Sequence, residues 1–259
     1  LQAYCRFPTH TEKETEMSNV FAKIQSQSKS PPRIALYGDA GIGKTEFFLT
    51  APNPIYILTE DGLGSRSIAH FPLCKTLQDF QDCLDALRFE AHDYKTVVID
   101  SADWLEKLIH ENICATKKVT NVDELAYGKG YTEAVTVFGS ILNTLTNLRD
   151  EKGMIIAFIA HSQVKRVEDP TQPAFDAHGF KLHRKTAALL EEFCDVVLFA
   201  TEKMMITTED AGFGNKRVRP IATGERIIHA VGSPAFTAKN RYGLPAELPL
   251  NWKDFIQSF

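Results

Sequence analysis

The chain has 259 residues, 44% apolar and 24% charged, which is ordinary for a soluble globular protein and enough for one α/β domain with a core and some additions. Its formal net charge of −4 excludes a general electrostatic pull on nucleic acid, so any such contact must use a local basic patch. No apolar run approaches a membrane span, the start is too polar for a secretory signal, and Cys5, Cys74, Cys83, Cys114 and Cys194 form no C-x-x-C pair, so the expectation is a cytoplasmic protein with reduced thiols and no membrane contact.

Residues 1–30 are rich in Thr, Glu, Lys, Gln and Ser and read as a flexible N-terminal segment ahead of a single domain over 31–259. Met17 offers a natural start, with 1–16 an upstream extension; an ordinary flexible terminus is the alternative. Val20 to Ile24 predicts a short helix. From Arg33, strands alternate with helices, the signature of a parallel sheet with covered faces. The first strand is 33–37 and the second 55–59, ending at Glu60-Asp61-Gly62. A helical turn over 65–70 and an extended piece over 72–76 follow. Apolar residues at 77, 80, 84 and 87 predict a helix from Leu77 to Glu90. A strongly apolar third strand, 95–100, ends in Asp100, and 104–114 is helical. Residues 115–131 read as a long polar connection, then 132–150 as a helix stopped by Gly153.

Met154 to Ala160 is the most hydrophobic run and belongs mid-sheet. Residues 164–183 carry two prolines and mixed charges without periodicity, and read as a long loop. His178 and His183 lie there without cysteine or carboxylate spacing to complete a zinc site. A helix over 184–193 and a strand over 195–200 come next. Short strands at 203–208, 217–222, 226–231 and 235–239, joined by turns such as Ala211-Gly212 and Thr223-Gly224, extend the sheet edge as antiparallel strands. The expected fold is α/β, a mostly parallel sheet flanked by helices with antiparallel C-terminal strands.

Gly38-Asp39-Ala40-Gly41-Ile42-Gly43-Lys44-Thr45 matches the phosphate-binding loop G-x-x-x-x-G-K-[ST], and Glu46 continues it into a helix. The glycines let several N–H groups point at one phosphate chain, and the helix N-terminus adds its positive end. Lys44 would reach the β- and γ-phosphates of ATP, and Thr45 would ligate Mg²⁺. Asp100 ends a strand where a phosphate loop needs an acid to hold Mg²⁺ through water; helix capping is its plainer role. Glu60, at the end of the second strand, is placed to activate water, with Asp61 as its competitor. His161 ends the central strand, where an imidazole would sense the γ-phosphate or serve only as structure.

Together with Tyr127-Gly128-Lys129-Gly130-Tyr131 and Ala238-Lys239-Asn240-Arg241-Tyr242-Gly243, these positions resemble the RecA-like P-loop ATPases. They are most similar to the phage-encoded AAA-type nucleotide-binding proteins, some of which are single-strand annealing recombinases. The resemblance covers about residues 30 to 250. It implies ATP hydrolysis with Glu60 as the water-activating acid. His161 stands where RecA proteins carry a γ-phosphate-sensing glutamine. Lys239 and Arg241 resemble the paired cations that reach a neighbouring subunit's ATP, in the manner of an arginine finger. The connections 115–131 and 163–185 stand at the RecA DNA-binding loops, with Lys129, Lys165, Arg166, Lys181, Arg184 and Lys185 as phosphate contacts and Phe175, Phe180 and His183 as stacking groups. The implied partners are single-stranded DNA, further copies in a ring or filament sharing the nucleotide site, and a single-strand-binding protein. In a phage setting the compartment is the bacterial host cytoplasm. A regulatory or loader switch acting on a protein, and a small-molecule phosphotransferase, are the alternatives; against the latter, no arginine-rich lid follows the central strand.

Overall fold

The computed structural model describes residues 30–64, 66–168, 170, 173–210 and 216–259. Met17, the short helix expected at Val20 to Ile24 and the turn at 211–212 lie outside the described residues, as does the flexible N-terminal segment apart from Ser30.

In chain order the elements are β1 (Arg33–Gly38), α1 (Lys44–Leu49), β2 (Pro54–Leu58), α2 (Leu77–Phe89), β3 (Thr96–Asp100), α3 (Ala102–Lys117), α4 (Lys129–Lys152), β4 (Ile155–Val167), β5 (Phe175–Phe180), α5 (Arg184–Phe193), β6 (Val196–Asp210), β7 (Lys216–His229), β8 (Lys239–Asn240), β9 (Glu247–Pro249) and α6 (Trp252–Gln257). The main sheet runs β2-β3-β4-β1-β6-β7-β9, with β5 on β4 and β8 on β6. Strands β2, β3, β4, β1 and β6 are parallel; β7, β8 and β9 pair antiparallel. This is the expected α/β class, mostly parallel with antiparallel C-terminal strands.

Side chains alternate between the faces of a strand, so the continuous apolar runs feed two cores. Ala35, Tyr37, Val97, Ile99 and Phe158 point into one core with α2, α3, α4 and α5. Ile34, Leu36, Val98, Ala157 and Ile159 point into the other, which α1 and α6 cover. There Phe47 packs on Trp252 and Phe255, ring centroids 5.7 and 5.5 Å apart. The sequence pattern does not announce α6, although Asn251 caps it by accepting the Asp254 N–H at 2.9 Å. Thr76 and Asp79 form a reciprocal cap that starts α2 where the periodicity places it. Gly153, with φ 67°, ends α4 as expected.

Four expectations need correction. Between 115 and 131, helix occupies most of the chain: α3 runs to Lys117, two 3₁₀ turns follow, and α4 begins at Lys129. Gly130 is a packing glycine, since a Cβ there would stand 2.6 Å from the Val122 carbonyl oxygen. The long loop at 164–183 is instead a hairpin, β4 continuing to Val167 and pairing with β5 from Ser162↔Phe180 to Val167↔Phe175. Its prolines lie between the strands, and exposure on both faces removes the apolar signature of a buried strand. Beyond 200 the short strands expected at 203–208, 217–222 and 226–231 are parts of two long ones, β6 and β7, and the one expected at 235–239 is reduced to a bridge at Phe236 and the two-residue β8. Thr223-Gly224 is an irregularity inside β7, where the register shifts between Glu202 and Met204 and Gly224 takes φ 78°. Of the helical turn expected over 65–70, the described residues 66–70 are not helical; His70 bridges Tyr56 alongside β2.

Both neighbours of β1 outrun it. Gly38 is level with His161 of β4 and Ala200 of β6, and each strand continues beyond as a two-stranded ribbon, β4–β5 and β6–β7. Two ribbons therefore rise from the same sheet edge as the phosphate loop. Among the described residues no helix is long and apolar enough to cross a membrane.

Candidate nucleotide site

The carboxyl ends of the parallel strands are level, Leu58 with Asp100, Asp100 with Ile159, and Gly38 with His161. Ligands of open α/β sheets collect at this edge. Because β4 lies between β1 and β3, His161 falls between the phosphate loop and Asp100; the strand, expected to end there, runs on to Val167. A cleft of about 560 Å³ opens there, lined by Gly43, Lys44, Glu60, Asp100, His161 and Arg226, among others. A groove of about 640 Å³ between α4 and α5 is larger, but residues such as Leu142, Leu189 and Phe193 line it and it holds none of these groups.

The loop is shaped by its glycines. A Cβ on Gly38 would stand 2.4 Å from the Ala200 carbonyl oxygen, so the first motif glycine is required by the approach of β6. Gly41 and Gly43 take φ 78° and 111°, in the left-handed region that favours glycine. Lys44 is the first residue of α1, and its side chain folds back so that Nζ donates to the Gly38 and Asp39 carbonyls at 3.0 and 2.9 Å. Burial lowers its pKa, while the charges of Asp100, Asp103, Glu60 and Asp39 work in the other direction. The Tyr56 hydroxyl, donating to the Thr45 carbonyl at 3.0 Å, ties α1 to β2.

The Thr45 hydroxyl donates to Asp100 Oδ2 at 3.0 Å, so the two expected metal-holding oxygens meet. Burial raises the Asp100 pKa against the Thr45 hydrogen bond and Lys44. Glu60 stands just past β2, and its Oε1 lies 3.9 Å from His161 Nε2. Burial raises its pKa, opposed by His161 and aided by Asp100 and Asp103. Asp61 is exposed beside it and makes no such contact among the described residues. His161 Nδ1 lies 2.9 Å from Asp103 Oδ2, and its backbone N–H donates to Asp103 Oδ1 at 3.0 Å. That side-chain hydrogen bond raises the His161 pKa against its own burial. Burial alone would raise Asp103, but the bonds from His161 outweigh it and hold the carboxyl low. Of the remaining loop residues, Asp39 accepts from the Ser162 hydroxyl, and Glu46 pairs with Arg66 at 2.5 Å. Ala40 and Gly41 border the cleft. Ile42 packs against the core under α1.

Lys239 and Arg241 are not brought to this site. Strand β8 pairs with the start of β6, at Val196 and Val197, the opposite end from Ala200. Lys239 Nζ donates to the Glu191 and Glu192 carbonyls at 2.6 and 3.1 Å, and Arg241 pairs with Asp195 at 3.0 Å, where Arg33 is also bound. Within this chain their charges are paired at the end of the sheet opposite the phosphate loop, so neither cation reaches the nucleotide cleft of its own subunit.

The expected DNA contacts divide. Lys165 donates to the Leu182 carbonyl at 3.1 Å and Arg166 pairs with Asp176 at 3.3 Å, so both are used within the hairpin. Lys181, Arg184 and Lys185 are exposed at the hairpin root and the start of α5. Lys185 reaches the Thr132 hydroxyl at 3.3 Å, and His183 stacks on Tyr131 at 4.2 Å, which draws this root to the first turn of α4 beside Lys129. Phe180 is buried in the core, so it and the already stacked His183 are not open platforms for bases.

Sequence reading missed Asp103 and Arg226. Asp103 looks like a helix-cap residue, and its partner lies 58 residues away, beyond any local spacing. Arg226 is carried in by an antiparallel strand that no phosphate-loop pattern includes.

The family model described as AAA domain matches residues 30–242, well over half of the chain and all the groups above. The chain belongs to the AAA domain family. It is a P-loop NTPase-type domain of the nucleotide-binding ATPase class. A comparison with curated proteins gave no match.

Proposed function

We propose that this AAA domain is a Mg²⁺-dependent, RecA-like ATPase that assembles with itself and acts on single-stranded DNA in phage-type recombination or annealing, in the host cytoplasm. The observation that carries the reading is the convergence of Lys44, the Thr45–Asp100 pair, Glu60 and the Asp103-held His161 on one cleft. The donor set fits the cofactor, since Mg²⁺ takes oxygen ligands and is held by one or two protein oxygens plus substrate phosphates. Thr45 and Asp100 would hold it, and it would neutralise charge on the β- and γ-phosphates.

Lys44 exchanges its bonds to the Gly38 and Asp39 carbonyls for phosphate oxygens. Glu60, its pKa raised by burial, takes a proton from the attacking water. His161 presents Nε2 toward Glu60 and the γ-phosphate position. Lys129, Lys181, Arg184 and Lys185 supply phosphate contacts for the strand near the root of the β4–β5 ribbon. Titration with a labelled single strand, with and without ATP, tests the DNA part; absence of a shift under both conditions rejects it. A second reading, an ATP-driven switch or loader acting on a protein, is favoured by the exposed Met204, Met205 and Ile221 on the β6–β7 ribbon. Hydrolysis stimulated by single-stranded DNA separates the two.

A further inference from the structure

We infer that Arg226 is a nucleotide-contacting residue, a cation the chain supplies to its own phosphate loop. This rests on the reading of the cleft as an ATP site. Arg226 lies on β7 opposite Glu202 of β6, and its backbone carbonyl accepts the Leu250 N–H at 3.0 Å. Strand pairing on one side and the C-terminal segment on the other thus fix its backbone. From there the side chain reaches over the loop. A methyl group placed on Gly43 would stand 3.3 Å from a guanidinium nitrogen of Arg226 and 3.4 Å from Leu250 Cδ2. Arg226 borders the same cleft as Lys44, Thr45 and Glu60.

The guanidinium is unspent. Among the described residues it makes no hydrogen bond and no ion pair, whereas Arg66 is committed to Glu46, and Arg33 and Arg241 to Asp195. The cleft is otherwise short of free positive charge. Glu46, Glu60, Asp61 and Asp100 border it, and among the described residues its other permanent cations are Lys44 and the paired Arg66, with His161 already held by Asp103. A triphosphate entering these surroundings needs a second cation, and a planar guanidinium suits two phosphate oxygens at once. Its position over Gly43 gives its target. Phosphate-loop amides cradle the α- and β-phosphates, while the loop lysine reaches β and γ. Arg226 therefore grips the part common to ATP and ADP.

The test is calorimetric titration of ATP and of ADP, with Mg²⁺, into the full chain and into Arg226→Ala, Arg226→Lys and Lys44→Ala. Melting temperatures without nucleotide serve as the folding control. The expected result is a loss of about tenfold or more for both nucleotides in Arg226→Ala, the scale of one charge-assisted hydrogen bond. Arg226→Lys should recover part of it at an unchanged melting temperature. Parent-like affinity of Arg226→Ala for both nucleotides would overturn the inference. So would a loss confined to ATP, which would place the guanidinium on the γ-phosphate. If the parent itself binds neither nucleotide, the ATP reading falls and Arg226 with it.

Discussion

Asp103 binds His161 twice, through the backbone N–H at 3.0 Å and through Nδ1 at 2.9 Å. The bonds turn the imidazole so that Nε2 faces Glu60 at 3.9 Å. One carboxylate at the head of α3 thus sets the position of His161 on β4, between the phosphate loop and Asp100, and favours its charged form. Such a partner fixes which ring nitrogen carries a proton and favours the imidazolium.

Asp103→Asn should lower the pKa of His161. The hydrogen bond from Asp103 raises it above 6.5, while burial lowers it, so loss of the carboxylate charge leaves burial to act. The stability that this pair contributes through His161 is fully present below about pH 6.5 and is lost as pH rises through the raised folded value. Through Asp103, whose pKa is lowered, the contribution is present above the unfolded value of 3.8 and fades as pH falls through the folded one. Proton NMR titration of His161 checks this. A midpoint unchanged by Asp103→Asn would show that the carboxylate does not set its charge.

Asp100→Asn should leave the fold intact and reduce the dependence of ATP binding on Mg²⁺. Thr45 Oγ1 donates to Asp100 Oδ2 at 3.0 Å, and an amide keeps the shape while giving up the charge that draws the metal. ATP titrations across a Mg²⁺ series read the effect. An identical Mg²⁺ dependence would remove Asp100 from the metal site.

Gly38→Ala should destabilise the domain by about 1–3 kcal/mol, the usual cost of forcing atoms into a packed interior. The added carbon would stand 2.4 Å from the Ala200 carbonyl oxygen, a backbone atom of a central strand that cannot swing aside. Chemical denaturation measures it, and wild-type stability would mean that β1 and β6 separate more easily than their pairing implies.

Replacing Lys181, Arg184 and Lys185 with Ala should weaken single-strand binding. It should also flatten the salt dependence by about 0.7 in log–log slope for each phosphate no longer neutralised. Lys165→Ala should do less, because that ammonium already donates to the Leu182 carbonyl. A parent-like affinity and slope in the triple variant would place DNA binding elsewhere or remove it.

The legible parts of this chain are those whose cause is local. The phosphate loop is a contiguous pattern, and the strand stretches that lead up to Asp100 and His161 are apolar because both faces are covered. The ribbons are harder to see. Their strands leave the core, so alternation fades where β4 passes Ser162 and β6 passes Ala200. The first turn of α4 is hidden for the opposite reason: Gly130 resembles a loop residue but is needed for close packing on Val122. Sheet topology brings Asp103 to His161 and Arg226 to the cleft, and no spacing in the chain encodes either. Lys239 and Arg241 carry a motif-like signal, and the placement of β8 at the start of β6, away from the phosphate loop of the same chain, is not encoded in that motif.

The most direct test of the cleft as an ATPase site is phosphate release from Mg²⁺–ATP by the parent chain and by Glu60→Gln at equal nucleotide occupancy. The substitution removes the base and keeps the shape. The predicted result is measurable release from the parent, with and without single-stranded DNA, and a fall of about 10²-fold or more in Glu60→Gln, the lower end of what a positioned general base contributes. Equal rates in the two proteins, or no release from a parent saturated with ATP, would contradict it.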